Sequence, residues 1–301
     1  MTGDPAADPE GRGTRYSPGQ LARLLALPEP TAEQAAVIAA PLRPVAVIAG
    51  AGSGKSETMA ARLVWLVAND LARPERVLGL TFTRKAAAEL ADRVRRRLDG
   101  LRRAGLGAET AELLAGEPVV CTYHAYAGRL VADHALREAL EPSMRLITPA
   151  VAWQIAAGVV AAYDGPVDAI EWTPRSVTAA VLQLAGELAE HLRGPADVRE
   201  AGEWLDRHAA AAPGGRTGRP AAIRKILGCQ RTREQLLPMI ERYAEAKRSR
   251  EVLDYGDQVT LAARIAQRHP EVGAGERGRY QAVLLDEYQD TSQAQLVLLR
   301  T

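Results

Sequence analysis

The segment AGAGSGKS (49–56) constrains the possible folds more than any other stretch of the chain. Gly50, Gly52 and Gly54 alternate with small residues, so the backbone there can adopt positive φ angles and turn successive N–H groups inward. The apolar run VAVIA (45–49) precedes it and suits a strand buried on both faces. A helical pattern follows, from about Gly54 to Asn69. Strand, glycine turn and helix in that order make a phosphate-binding loop, with the helix N-terminus adding its dipole. The strict pattern has glycine six residues before the lysine, where this chain has Ala49. The whole loop, Ala49, Gly50, Ala51, Gly52, Ser53, Gly54, Lys55 and Ser56, is therefore expected to hold a nucleoside triphosphate such as ATP. Lys55 is expected to reach the β- and γ-phosphates, and the Ser56 hydroxyl to ligate Mg²⁺.

A second block, VLLDEYQDTSQAQ (283–295), complements the first. The apolar strand pattern AVLLDE (282–287) ends in two adjacent carboxylates. Mg²⁺ favours one or two carboxylates plus water and phosphate oxygens, so Asp286 is expected to hold the ion, through water. Glu287 is then the base that orients or deprotonates an attacking water. Gln34 has two readings of about equal weight. In Thr31-Ala-Glu-Gln34 it completes a capping box, or its amide pairs with an adenine edge.

The patterning predicts an α/β fold. TAEQAAVIAA starts a short helix at Thr31, stopped by Pro41 and Pro44. VLGLTF (77–82) and VVCT (119–122) are strands, with a long helix from Arg84 to about Arg103 between them. This alternation argues for a parallel sheet covered by helices. Residues 127–250 are almost entirely helical in pattern, and the strand signal returns only near 282. We therefore expect an α/β nucleotide-binding domain (16–126 and 251–301) interrupted by a helical subdomain (127–250). Residues 1–15 carry little to bury and are expected to be disordered, and APGGRTGRP (212–220) to be a mobile loop.

Composition narrows the function classes. No apolar run approaches the length of a membrane span, and no secretory signal is present, which points to a cytoplasmic protein without a membrane partner. Cys121 and Cys229 lack any metal-binding spacing. Net charge is +1, so nucleic-acid affinity must come from a local patch. Of 38 basic residues only Lys55, Lys85, Lys225 and Lys247 are lysines, so arginine clusters reflect coding bias as readily as function. The arginines at 93, 95, 96, 97, 102 and 103 suit a solvated helix face.

Five blocks in order carry a family resemblance: TAEQAAVI (31–38), AGAGSGKS (49–56), LTFTRKAAAEL (80–90), CTYHAYAGRL (121–130) and LLDEYQDTSQAQ (284–295). Over nearly its whole length the chain resembles the UvrD/Rep-like superfamily 1 DNA helicases. GKSETMAARLVWLVAN and DEYQDTSQAQ look nearest to actinobacterial helicase–nuclease subunits that resect DNA ends, which would bring a partner subunit. The resemblance implies a 3′-to-5′ ATP-driven motor acting on single-stranded DNA or duplex ends. It places Thr81, Phe82, Thr83, Arg84 and Lys85, then Thr122, Tyr123 and His124, in the blocks that meet the strand. It also tips Gln34 toward adenine. Independently, Phe82 is the chain's only phenylalanine and ends a strand, where its ring could stack a base.

Two departures qualify the resemblance. Many members carry arginine directly after the GK[ST] triplet, and here the residue is Glu57. The second motor domain, the arginine fingers and any nuclease domain are not in this sequence. The expectation is weak nucleotide binding, slow turnover and no unwinding by this chain alone, since such fingers contribute about 10³–10⁵-fold. A nucleotide- and DNA-binding module without turnover, and a P-loop NTPase unrelated to DNA, stand as the other two readings.

Overall fold

The computed structural model describes residues 14–104, 116–138, 141, 144–170, 172–211 and 220–301. Of the segment 1–15 expected to be disordered and the expected mobile loop 212–220, residues 1–13 and 212–219 lie outside the described residues. Two compact units emerge: Met1–Tyr126 with Glu271–Asp290, and Ala127–Pro270 with Thr291–Thr301.

The first unit begins with α1 (Pro18–Leu24) and α2 (Ala32–Ile38), both opened by capping boxes, from Ser17 with Gln20 and from Thr31 with Gln34. Helix α3 (Lys55–Ala68) follows the glycine loop and is apolar along its inner side from Leu63 to Ala68. Strand β1 (Val77–Thr81) is buried at every residue, as the continuous apolar run VLGLT requires. Helix α4 (Arg84–Arg103) takes Thr83 as N-cap, whose hydroxyl accepts from the Ala86 N–H at 3.0 Å. Strand β2 (Val119–Thr122) completes one side of the sheet.

Strand β1 lies in the centre, pairing in parallel with β2 on one side and with a later strand, Ala282–Leu285, on the other. The pairings Thr81↔Thr122 and Leu80↔Leu285 bring all three strands to their C-terminal ends at one edge. Leu63, Leu66, Val77, Val94 and Leu98 form the core between sheet and helices.

One expectation fails here. VAVIA (45–49) is not a strand: Val45 and Val47 are about half exposed and Ile48 is 99% exposed. Its apolar content specifies burial, but a strand also needs a neighbour to take its backbone N–H and C=O groups. Among the described residues none pairs with it.

The second unit is mainly helical. It contains α5 (Tyr123–His134) from Ala127 onward, α6 (Pro149–Ala161), α7 (Pro174–Glu190), α8 (Pro195–Ala211) and α9 (Ala221–Arg248). α10 (Tyr255–Arg268) and α12 (Gln293–Arg300) belong to it, whereas α11 (Pro270–Arg279) lies almost wholly in the first. Its core is drawn from α6, α7 and α9, with Val181, Leu237, Met239 and Tyr243 essentially inaccessible. A two-residue parallel pair, β3 (Arg145–Leu146) with β4 (Val252–Leu253), interrupts the helices and was not legible in the sequence pattern. The sheet strand Ala282–Leu285 is β5. No helix among the described residues is long and apolar enough to cross a membrane.

Candidate nucleotide and nucleic-acid site

The glycine loop has the backbone its sequence requires. Gly52 and Gly54 sit at φ 75° and 83°, angles that side chains with a Cβ rarely adopt. Gly54 is the N-cap of α3, and its carbonyl accepts from the Thr58 N–H at 2.8 Å and the Thr58 hydroxyl at 3.0 Å. A methyl group at Gly54 would meet the Gln34 side-chain nitrogen at 3.0 Å. The Ser53 hydroxyl closes the loop on the Gly50 carbonyl at 2.8 Å. Lys55 Nζ donates to the carbonyls of Ala49 and Gly50 at 3.3 and 3.2 Å, so the ammonium folds back over the loop. Ser56 is exposed one residue later.

Gln34 does two structural jobs at once. Its Oε1 accepts from the Thr31 N–H at 3.0 Å, and its Nε2 donates to the Ser53 carbonyl at 3.0 Å. It thereby ties the start of α2 to the glycine loop. Oε1 keeps a second lone pair and Nε2 a second N–H beyond these bonds.

Asp286 follows β5 and stays on the ladder, its N–H donating to the Leu80 carbonyl at 2.9 Å. Burial raises its carboxyl pKa, and the neighbouring Glu287 charge raises it further. The Glu287 N–H and the Lys55 charge pull the other way without cancelling the rise. The glycine loop and the acidic pair belong to the same unit. Glu287 is exposed and occupies left-handed backbone at φ 49°, unusual for a residue with a side chain. Gln289 donates from Nε2 to the Glu287 carboxylate.

The donors fit magnesium. The Ser56 hydroxyl and the Asp286 carboxylate are oxygen donors, the kind Mg²⁺ prefers, and burial and the Glu287 charge both disfavour the bare carboxylate that a divalent cation would stabilise. Among the described residues no cluster of three or more metal-ligating side chains occurs, so Mg²⁺ here would need phosphate oxygens and water to complete its shell.

The other predicted residues share the same sheet edge. Thr81 is buried and its hydroxyl donates to the Thr83 carbonyl at 3.1 Å. Thr122 is buried and its hydroxyl accepts from the Ala125 N–H at 3.1 Å. Tyr123 is only 2% exposed, and Phe82 packs on it at 4.9 Å between ring centroids. The half-buried Phe82 and His124 and the exposed Thr83, Arg84 and Lys85 form the accessible part of this edge. Lys85 faces Glu89 at 3.8 Å.

Three contributors were missed in the sequence. Arg62 on α3 donates from Nη1 to the carbonyls of Val37, Ile38 and Ala40 at 3.0, 3.0 and 2.7 Å, closing the end of α2 that leads to the loop. Nothing in the sequence flags it. Arg97 is buried and pairs with Glu57, which Arg93 also approaches at 3.5 Å. A signal existed for this pair: Arg97 occupies the apolar stripe Leu90, Val94, Leu101 at helical spacing. Asn69 accepts from the Tyr16 N–H at 2.8 Å and fastens the N-terminal segment to the end of α3.

A parallel sheet with a glycine loop opening the helix beside it, and an acidic pair ending a strand, is the RecA-like class of α/β domain. Within that class, the chain belongs to the UvrD/REP helicase N-terminal domain family, whose model matches residues 30–301. It is similar to the ATP-dependent DNA helicase PcrA of Staphylococcus aureus strain Mu50, 25% identical over 268 residues that cover 89% of this chain and 30% of PcrA. It is also similar to the ATP-dependent DNA helicase UvrD1 of Mycobacterium bovis and of Mycobacterium tuberculosis. Each is 27% identical over 258 residues, covering 85% of this chain and 28% of UvrD1. The chain thus spans under a third of the length of these curated relatives.

Proposed function

We propose that the chain is the nucleotide-binding motor portion of an ATP-dependent DNA helicase or translocase that moves 3′ to 5′ on single-stranded DNA. The observation that carries this reading is the left-handed glycine loop at the start of α3, in the same unit as the parallel β1–β5 pair that Asp286 extends. In this reading the N–H groups of residues 50–56 cradle the phosphates, and Lys55 leaves the Ala49 and Gly50 carbonyls for the phosphate oxygens. Ser56 and Asp286 would hold Mg²⁺, which when bound offsets the negative charge of the phosphates. Glu287 takes the proton of the attacking water, and its exposure keeps it accessible to that water. Gln34 exchanges the Ser53 carbonyl and Thr31 N–H for the adenine edge. Phe82, resting on Tyr123, offers a stacking face beside Thr83, Arg84, Lys85 and His124.

ATP hydrolysis measured with and without oligothymidylate tests the proposal. Stimulation by the strand supports a DNA motor, nucleotide binding without turnover reduces it to a binding module, and turnover indifferent to DNA removes the DNA role. Lys55→Ala should abolish nucleotide binding. Glu287→Gln should bind normally and hydrolyse nothing, and equal turnover in the variant and wild type would remove Glu287 as the base.

A further inference from the structure

On the helical unit, β3 presents an open edge. Its pairing with β4 uses the N–H groups of Arg145 and Ile147, which donate to the carbonyls of Glu251 and Leu253 at 3.1 and 2.8 Å. Strand alternation therefore turns the N–H and C=O of Leu146 away from β4. No further strand lies there among the described residues, and Leu146 is 40% exposed. Beside this edge runs a groove of about 670 Å³. Ile147, Val151, Ile155 and Val252 give it an apolar lining, and Arg145 and Arg250 give it positive charge. Arg250 is oriented by a bond from Nη1 to the Ala246 carbonyl at 2.8 Å. The described lining residues include no carboxylate and no aromatic ring.

We propose that this groove docks an extended acidic–aliphatic peptide segment of a partner protein. The peptide backbone would add to the β3 edge at Leu146, its aliphatic side chains would fill the lining, and its carboxylates would pair with Arg145 and Arg250. Charge and shape both select this occupant. A nucleic-acid strand would find no ring to stack on. A second copy pairing β3 on β3 about a two-fold axis would set Arg145 close to its own counterpart, like charge against like. This site is independent of the nucleotide site and of the function proposed for it.

Fluorescence anisotropy on the full chain decides the matter, with a fluorescein-labelled nonapeptide alternating aspartate and leucine as probe. The expected result is saturable micromolar binding. It should weaken at least ten-fold in the Arg145→Glu/Arg250→Glu variant and in Val151→Asp, both checked for native circular dichroism. A probe N-methylated at alternate backbone nitrogens should bind far less well, because the strand edge needs those donors. The proposal is overturned by no saturable binding, by unchanged affinity in both variants, or by equal binding of a lysine–leucine peptide. Displacement of the probe by oligothymidylate would mark the groove as a nucleic-acid site instead. A dimer in sedimentation that Arg145→Glu dissolves would assign it to self-association, and either result discards the peptide reading.

Discussion

Glu57 puts a negative charge in the first turn of α3, one residue from Ser56 and beside the place proposed for a triphosphate. Arg97 and Arg93 neutralise it from α4. Arg97→Met should therefore lower nucleotide affinity by about five-fold, since one uncompensated charge nearby contributes on the order of 1 kcal/mol in a partly solvated site. The double variant Glu57→Gln/Arg97→Met should regain wild-type affinity, and isothermal titration with a non-hydrolysable nucleotide would show it. If the double variant binds as poorly as Arg97→Met, the arginine acts through packing instead. At Asp286 the raised pKa carries a definite sign. The native state holds its proton to higher pH than the unfolded chain does, so stability falls as pH rises from the ordinary aspartate range through the raised value. Asp286→Asn should melt above wild type at pH 7.5 without nucleotide, and the gap should close toward pH 4. A gap that persists at pH 4 would assign the gain to something other than charge. Lys55, Ser56, Asp286 and Glu287 were legible as candidates because their chemistry is tied to short, local spacing. The partners of Arg62 and Arg97 were not, because each bond joins residues more than twenty positions apart; the apolar stripe of α4 marked only that Arg97 would be buried.

Helix α9 ends and α10 begins around one buried cation. Lys247, with its side chain 7% exposed, donates to Asp254 and Asp257, both at 2.5 Å, and its Nζ lies 4.5 Å from the Tyr243 ring centroid. The Tyr243 hydroxyl donates to Asp254 at 3.0 Å, and Asp254 is also the N-cap of α10. Burial pushes both carboxyls up; the Lys247 charge and hydrogen bond bring Asp254 below its ordinary value, whereas Asp257 stays above it. Lys247→Met would leave two carboxylates buried against each other. It should destabilise the helical unit by about 3–5 kcal/mol, the usual cost of removing one partner from a buried ion pair. Urea unfolding followed by far-ultraviolet circular dichroism measures this, and a loss below about 1 kcal/mol would mean that water reaches the site. Strands β1, β2 and β5 and helices α3 and α4 were readable from apolar runs and caps. VAVIA misled for an element-level reason: hydrophobicity reports a wish for burial and says nothing about which strand answers it.

Across the molecule positive and negative charges nearly balance, 38 basic residues against 37 acidic ones. Net charge is +1, and on α4 Arg95 pairs with Glu117, Arg96 with Asp92 and Arg102 with Asp99. Each of those pairs occupies an arginine that would otherwise release counterions from a strand. The logarithm of oligothymidylate affinity should fall against the logarithm of salt concentration with a slope of only about −1.5 to −2, equivalent to two or three phosphates. A slope steeper than about −4 would reveal a basic surface that these pairs conceal. The order of the five sequence blocks by itself determined the family and the class of sheet, because a glycine loop and a strand-ending acidic pair each need only a few consecutive residues to declare their geometry. Only the tertiary structure decided that Thr81, Thr122 and Tyr123 are buried, that Gln34 is already bonded, and that arginines from one helix cancel the carboxylate of another. Those outcomes depend on which distant surfaces meet, and a pairwise contact between far-separated residues leaves no periodic trace along the chain.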